Sequence, residues 1–304
     1  MIDIGTNSVR LLVADVRSSS RSSPHLQPVL RHLQITRLGE RLTPGGRIQP
    51  SAAARTAEAV KRCIVLASAA GVADPVLVGT HALRIAQNPD ELLARLDYPV
   101  RILTGAEEAR LGYRGVVAGL GSSRIRSRLL VIDIGGGSVE LTWGLRARIE
   151  ASQSIPVGAV VLSERFLAHD PPLATEIAAL RDHLTRTLAR GLSTAFRKPF
   201  GIAGVGGTIT TLAAMEQRLS PYDPERVHGY RLSRRSVDRL TSELAALSVA
   251  KRRRLPGLQP ERADIIVAGA LVLQHLLART AVRSLIVSEA DLLWALALDQ
   301  DTAH

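Results

Sequence analysis

Residues 2–11 read Ile-Asp-Ile-Gly-Thr-Asn-Ser-Val-Arg-Leu, and residues 132–141 read Ile-Asp-Ile-Gly-Gly-Gly-Ser-Val-Glu-Leu. Seven of the ten positions match at an offset of 130. So long a period excludes a solenoid and predicts two similar domains. Each copy opens with a β-branched apolar run, turns on glycine, and resumes as a strand, over Val9–Val16 in one and Val139–Trp143 in the other. Each copy therefore reads as strand, turn, strand, with Asp3 or Asp133 ending the first strand. A carboxylate there reaches a metal or a water, while the glycine and serine amides of the turn face an anion.

Outward from these copies the chain alternates between short β-branched runs and helical patterns, which defines an α/β protein with mixed sheets. Ser18–Pro28, rich in Ser, Arg and Pro, is expected to be a mobile loop, and Val29–Arg37 a strand. Helices are expected at Ser51–Ala70, Pro89–Leu96, Ala106–Leu120, Pro172–Leu192, Ser233–Leu247, Gln259–Arg279 and Ala290–Leu298. Short strands are expected at Pro75–Thr80, Val100–Leu103, Phe200–Val205 and Val282–Val287. The Gly/Ser/Arg-rich stretch Gly119–Ser127 is the expected junction, dividing a domain over 1–120 from one over 121–288. A last helix within 289–304 would return to the first domain.

Composition narrows the function. The 304 residues carry a net charge of +11 from three lysines and 36 arginines against 28 acids. A chain this basic is suited to polyanions. Aromatic residues make up only 3%, too few for a platform that stacks single-stranded nucleic acid, and no nucleic-acid module is present. Cys63 is the sole cysteine, which excludes an intrachain disulfide and a cysteine zinc cluster. The longest apolar run, Ile265–Leu273, is too short to span a bilayer, and Asp3 and Arg10 come too early for a signal peptide. The expectation is a cytoplasmic protein without a membrane partner.

Three glycine turns follow strands: Gly5-Thr6-Asn7-Ser8, Gly135-Gly136-Gly137-Ser138 and Gly204-Val205-Gly206-Gly207-Thr208. Any one could be a plain tight turn. Three together predict a phosphate cradle, the third at a helix N-terminus. No Gly-x4-Gly-Lys-Ser/Thr stretch exists, which excludes a P-loop nucleotidase. Asp3, Asp133 and Glu140 supply hard oxygens suited to Mg²⁺ shared with substrate phosphates. Glu107 fits a capping box with Thr104, whereas Glu108 competes between helix dipole and general base. Arg84 suits a bidentate phosphate contact, with a solvated arginine as the plainer reading. His169-Asp170 reads as a surface turn. Lys251-Arg252-Arg253-Arg254 reads as a solvated face or a landing strip for a polyanion.

With these blocks on the page, the chain resembles the exopolyphosphatase/guanosine pentaphosphatase family of the actin, Hsp70 and sugar-kinase superfamily. Asp3–Arg10, Val78–Asn88, Thr104–Gly115, Ile132–Leu141, Ile202–Leu212 and Leu255–Ala270 carry the likeness in the family's order. It implies two ribonuclease-H-like domains around a cleft, and Mg²⁺-assisted hydrolysis of terminal phosphate from inorganic polyphosphate. It also implies Glu108 as the base that activates water. Asp133 and Glu140 are implied as metal- and phosphate-site acids, and the strand-end reading adds Asp3 to them. Arg84, Arg262 and the turn residues Gly5–Ser8, Gly135–Ser138 and Gly206–Thr208 are implied to bind substrate. Guanosine pentaphosphate remains an alternative substrate, and a weakly active polyphosphate-binding sensor an alternative role. The chain departs from the family where Val287-Ser288 leads into Asp291-Leu-Leu-Trp294-Ala295 without the usual glycine. The long members' extra C-terminal region is also not matched, so an extended channel would require a homodimer or be lacking.

Overall fold

The computed structural model describes residues 1–19, 22–121, 125, 127–191 and 201–301. Eleven strands form two mixed sheets among these residues. The first sheet contains β1 (Ile2–Ile4), β2 (Ser8–Ser19), β3 (Ser22–Ile35), β4 (Leu77–Gly79) and β5 (Val100–Ile102), in the order β3-β2-β1-β4-β5. The second contains β6 (Leu129–Ile134), β7 (Val139–Leu145), β8 (Arg148–Ile155), β9 (Gly201–Val205), β10 (Arg231–Ser233) and β11 (Ser284–Val287), in the order β10-β11-β9-β6-β7-β8. The helices are α1 (Pro50–Ala69), α2 (His81–Ile85), α3 (Asp90–Leu93), α4 (Gly105–Leu120), α5 (Ala159–Phe166) and α6 (Ala174–Gly191), then α7 (Gly207–Glu216), α8 (Pro224–Val227), α9 (Arg234–Ala246), α10 (Val249–Arg252), α11 (Ile266–Ala278) and α12 (Leu292–Asp301).

The sequence echo is a structural echo. β1 pairs antiparallel with β2 and parallel with β4, as β6 pairs antiparallel with β7 and parallel with β9. Asp3 stands opposite Arg10 in the first hairpin, and Asp133 opposite Glu140 in the second. Both turns close with the same bond: Gly5 N–H donates to Ser8 O at 2.9 Å, and Gly135 N–H to Ser138 O at 3.0 Å.

Each sheet buries its own core. Ile2, Ile4, Val9 and Leu11 pack on α1 through Ala53, Ala57 and Val60. The opposite face of β2 packs Leu12 on Leu292, Leu293 and Leu296 of α12, together with Leu111 of α4. Tyr113 and Val116 of α4 pack instead on Leu129, Val131, Ala203 and Val205 of the second sheet. The largest core gathers the other face of that sheet against α5, α6, α7, α9 and α11, around Leu162, Leu184, Leu212, Leu240 and Leu271. One helix, α4, therefore lies against both layers.

Several expectations need correction. The stretch from Ser18 to Pro28 is not a loop: β2 and β3 continue through its described residues as a long hairpin. A register shift between Val13 and Ala14 accommodates Pro28, which has no N–H for the ladder. The helix expected over Gln259–Arg279 is two elements, a 3-10 turn at Pro260–Arg262 and α11. β8, α5, α8 and β10 were not anticipated, being short or polar on one side. Asp170 is more than a surface turn, because its carboxylate accepts the Val249 N–H at 2.8 Å and pairs with Arg252 at 3.1 Å. Arg252, expected on a solvated face, is buried, while Lys251, Arg253 and Arg254 stay exposed. Part of the expected junction Gly119–Ser127, and the end of the helix expected to Leu192, lie outside the described residues. No helix among the described residues is long and apolar enough to cross a membrane.

The approach of α4 to the segment before α12 depends on glycine. A Cβ on Gly115 would overlap the Asp291 carbonyl, and one on Gly119 would overlap the Ala290 methyl. Gly115→Ala is expected to destabilise the protein by about 1–3 kcal/mol or more, since the obstacle is backbone. A lower urea midpoint with an unchanged slope will show it; an unchanged midpoint would mean that the segment yields.

Candidate functional site

The two echoed turns face each other across the centre of the molecule. A Cβ on Gly136 would lie 3.1–3.3 Å from Asn7 and Thr6, and one on Gly137 would lie 2.6 Å from Thr6 Oγ1 and overlap the His81 ring. Glycine at these positions lets the two layers meet. Gly206 has φ +92°, and a Cβ there would lie 2.5 Å from Asp133 Oδ1, so backbone shape and space both demand glycine. These turns open one shared cavity. Its lining includes Asp3, Gly5, Thr6, Asn7, Ser8, Glu108, Asp133, Gly135, Gly136, Gly137, Ser138, Glu140, Gly206, Gly207, Thr208 and Arg262. Residues chosen from sequence at five distant places thus converge on one space.

Not every expected donor is free. The Gly5 and Gly135 amides are used in closing their own turns. Thr6, Asn7, Gly136 and Gly137 keep amides without a backbone acceptor among the described residues. Arg84 is outside the cavity lining and stands behind Glu108: its Nη1 donates to Leu103 O at 2.7 Å and to Glu108 Oε2 at 3.0 Å. Arg262 is the reverse case. Its guanidinium lies against Gly207 at the start of α7, its Nε donates to Gln259 Oε1 at 2.8 Å, and it has no carboxylate partner among the described residues. Burial, reinforced by Arg10, pulls its pKa down to about 10. A partly buried cation at a helix N-terminus without a counter-charge is suited to an anion.

Glu107 and Glu108 separate cleanly. Thr104 N–H donates to Glu107 Oε2 at 2.8 Å, and Glu107 N–H to Thr104 Oγ1 at 3.2 Å, a complete capping box on exposed residues. Those bonds hold the Glu107 carboxyl below its ordinary range. Glu108 turns the other way, into the cavity. Thr142 Oγ1 donates to Ala109 O at 3.1 Å and so pins this turn of α4 to β7. Burial first, then the charges of Asp3 and Asp133, push the Glu108 carboxyl up to about 7 against the opposing pull of Arg84.

Asp3, Asp133 and Glu140 are all pushed up, chiefly by burial and further by nearby carboxylates: Asp291 for Asp3, Asp291 and Asp3 for Asp133, and Glu108 and Asp133 for Glu140. Glu140 accepts a hydrogen bond from Ser154 Oγ at 2.7 Å. Asp3 Oδ2 is held by Arg10, from Nε at 3.0 Å and Nη2 at 2.6 Å, and Arg10 also pairs with Asp291. Asp3 Oδ1 is buried without a partner. Among the described residues no three His, Cys, Asp or Glu side chains form a metal cluster. The expected trio is therefore not a preformed ligand set, because Arg10 already occupies one Asp3 oxygen. The unpartnered Asp3 oxygen and the protonation-prone Asp133 still fit a hard cation bound through one or two carboxylates.

Sequence reasoning missed Arg10, His81, Ser154, Tyr222, Glu289 and Asp291. Arg10 was within reach, for it occupies the echo position of Glu140. His81 is buried on the cavity wall, and burial followed by Arg84 lowers its pKa to about 4, so the imidazole is neutral. Tyr222 donates to Glu289 Oε1, a contact between a Pro/Asp loop and the end of β11 that no local pattern announces.

The acid cluster has a consequence for stability. The Asp133 carboxyl is pushed to about 7 in the folded chain, against about 3.9 unfolded. Between those values the folded state holds more protons, so stability falls as pH rises through this window. In metal-free protein, Asp133→Asn is expected to raise stability at pH 7.5 by on the order of 1 kcal/mol or more, and far less at pH 4. Thermal melts at both pH values test it; an equal change at both would remove the ionisation argument.

Comparison with known proteins places this arrangement. The Ppx/GppA phosphatase family profile matches residues 12–293. The chain is 34% identical to exopolyphosphatase 2 of Mycobacterium tuberculosis, with 98% of this chain and 96% of that protein covered. It superposes on a Ppx/GppA family member of Aquifex aeolicus with a TM-score of 0.81 at 30% identity, covering 99% and 96% of the two chains. An exopolyphosphatase from Cytophaga hutchinsonii superposes with a TM-score of 0.85 at 27% identity, covering 98% and 97%.

Proposed function

This chain belongs to the Ppx/GppA phosphatase family, and from that premise we propose that it is an exopolyphosphatase, hydrolysing the terminal phosphoanhydride of inorganic polyphosphate. One observation carries the reading. A buried carboxyl raised to about 7, Glu108, shares a cavity with two amide-lined turns and with Arg262 at a helix N-terminus. That is a base opposite an anion cradle.

Phosphoryl transfer is mainly a matter of positioning and charge neutralisation. The amides of Thr6, Asn7, Gly136 and Gly137 hold the oxygens of the terminal phosphate. Arg262 and the start of α7 hold further anionic oxygens. Glu108, oriented by Arg84, accepts the proton of the attacking water. Asp133 and Asp3 Oδ1 would hold Mg²⁺ together with the substrate, and the ion would supply neutralisation of phosphate charge. Without a cation the carboxylates of the cavity would repel the substrate, which is why the acid cluster favours a metal-assisted reaction. Glu140 supports Asp133 from across the hairpin and is itself fixed by Ser154.

A second reading has its own observation. The cavity continues past Arg10 to Arg31, Leu33 and Trp294, and the Arg31 guanidinium lies 5.6 Å from the Trp294 ring centre. An apolar, aromatic annex has no use for a bare phosphate chain but suits a flat ring, as in guanosine pentaphosphate. Trp294→Ala should lower kcat/KM on guanosine pentaphosphate by about tenfold, roughly the value of one stacking contact, and leave tripolyphosphate unchanged. Equal effects on both substrates would return Trp294 to a packing role.

Glu108→Gln is expected to reduce phosphate release from polyphosphate by about 10²–10⁴-fold with little change in affinity. Glu107→Gln, which loses only a cap, should stay close to the parent. The acidic limb of kcat/KM should fall near pH 7, with activity lost as pH drops and the base takes up its proton. An active Glu108→Gln would move the base to Asp133 or Glu140. Release by the parent in excess chelator would remove the metal.

A further inference from the structure

We infer that Arg37 is a positioning residue that links the first phosphate turn to Arg262 across the cleft. The inference rests on the polyphosphate reading above and adds to it a residue that touches neither water nor phosphate.

Arg37 has two attachments in different halves of the chain. Its backbone N–H donates to Asn7 O at 3.0 Å, beside the Thr36 N–H, which donates to the same oxygen at 2.9 Å. Its side chain reaches the second half, with Nη2 2.9 Å from Asp264 Oδ2 and 3.4 Å from Glu261 O. Those two acceptors flank Arg262. Arg37 is also one of the few non-glycine residues with positive φ, at +54°, an uncommon geometry for a side chain of this size. Gly39 N–H donates to Thr6 O at 2.9 Å just beyond it, so the segment after β3 is laid over the first turn.

The segment that carries Arg262 is packed on the core through Leu258, Ala263 and Ile265, but few polar contacts from outside it hold the turn at Arg262 itself. The Arg262 guanidinium bonds to Gln259, which belongs to the same short turn and cannot locate it in space. From behind, buried Arg252 donates from Nη1 to Ala263 O at 2.5 Å and pairs with Asp170. From across the cleft, Arg37 grips Glu261 and Asp264. Arg262 is thus set over Gly207 by two other arginines, one from its own half and one from the opposite half. The half-exposed Arg37–Asp264 pair contributes little to stability. Its effect is geometric: a phosphate held by Thr6 and Asn7 on one side and Arg262 on the other meets two clamps whose spacing Arg37 sets.

The test is a double-mutant cycle on tripolyphosphate. Arg37→Ala should raise KM about tenfold with kcat much less affected, and Arg37→Lys should recover part of the loss by restoring the contact with Asp264. Asp264→Asn should reproduce Arg37→Ala. In an Arg262→Ala background, Arg37→Ala should cost nothing further, because the group that it positions is gone. Multiplicative losses in that background, or an Arg37→Ala enzyme with unchanged KM, would overturn the inference. The same cycle read as tripolyphosphate affinity in a Glu108→Gln background needs no turnover. Parent protein that binds but does not hydrolyse, with the cycle still non-additive, would overturn the polyphosphatase reading alone. Absence of tripolyphosphate binding to the parent would overturn both.

Discussion

The contact between the two echoed turns is the constraint on which the rest of the structure depends. Gly136 and Gly137 bring the second hairpin against Thr6 and Asn7 of the first and His81 of α2, at distances that leave little or no room for side chains. That approach places the free amides of both turns around one cavity. It also brings Asp3 close enough to Asp133, at the corresponding strand end, to push the Asp133 carboxyl up. Gly158, which starts α5, sits so tightly beneath Gly136 that a Cβ would again overlap backbone, and α5 feeds its first amides to the Gly135 and Gly136 carbonyls. The turn is therefore supported from below while its outward amides remain free.

Around that contact the electrostatics are unbalanced by design of placement. Asp3, Glu108, Asp133, Glu140, Glu289 and Asp291 line a cavity in which Arg10 and Arg262 are the deep cations. Arg10 is committed to Asp3 and Asp291, leaving Arg262 as the cation open to an incoming anion. A basic protein thus has an acidic centre. The net charge of +11 belongs mainly to the exterior, where it attracts polyanions over distance, whereas the reacting phosphate meets carboxylates that call for a cation.

Much of the site was legible because chemistry and local geometry coincide along the chain. The echo predicted paired hairpins, and the Thr104–Glu107 spacing predicted the capping box that points Glu108 the other way. Where the reading failed, the cause was a competing long-range contact. Arg252 looked like part of a solvated run, but Asp170 and the Ala263 carbonyl bury it. Ser18 to Pro28 looked like a loop from composition, but pairing along β2 and a bulge at Pro28 override that propensity. For Arg84, read as a phosphate contact, the structure adds long-range partners for Nη1 in Glu108 and the Leu103 carbonyl.

The sequence by itself determined the two-copy α/β architecture, the glycine turns, the acids at the strand ends and the capping role of Glu107. Each of these follows from residue type and short spacing, which act within a few residues. Only the tertiary structure decided which charges are committed and which are free. Arg10 and Arg262 are both partly buried arginines on the cavity wall, yet one lies between two carboxylates and the other faces a helix N-terminus. The same holds for Asp3, whose two oxygens have different fates. Those outcomes depend on contacts between residues as far apart as Arg10 and Asp291 or Arg37 and Asp264, and burial gives each such contact its energetic weight.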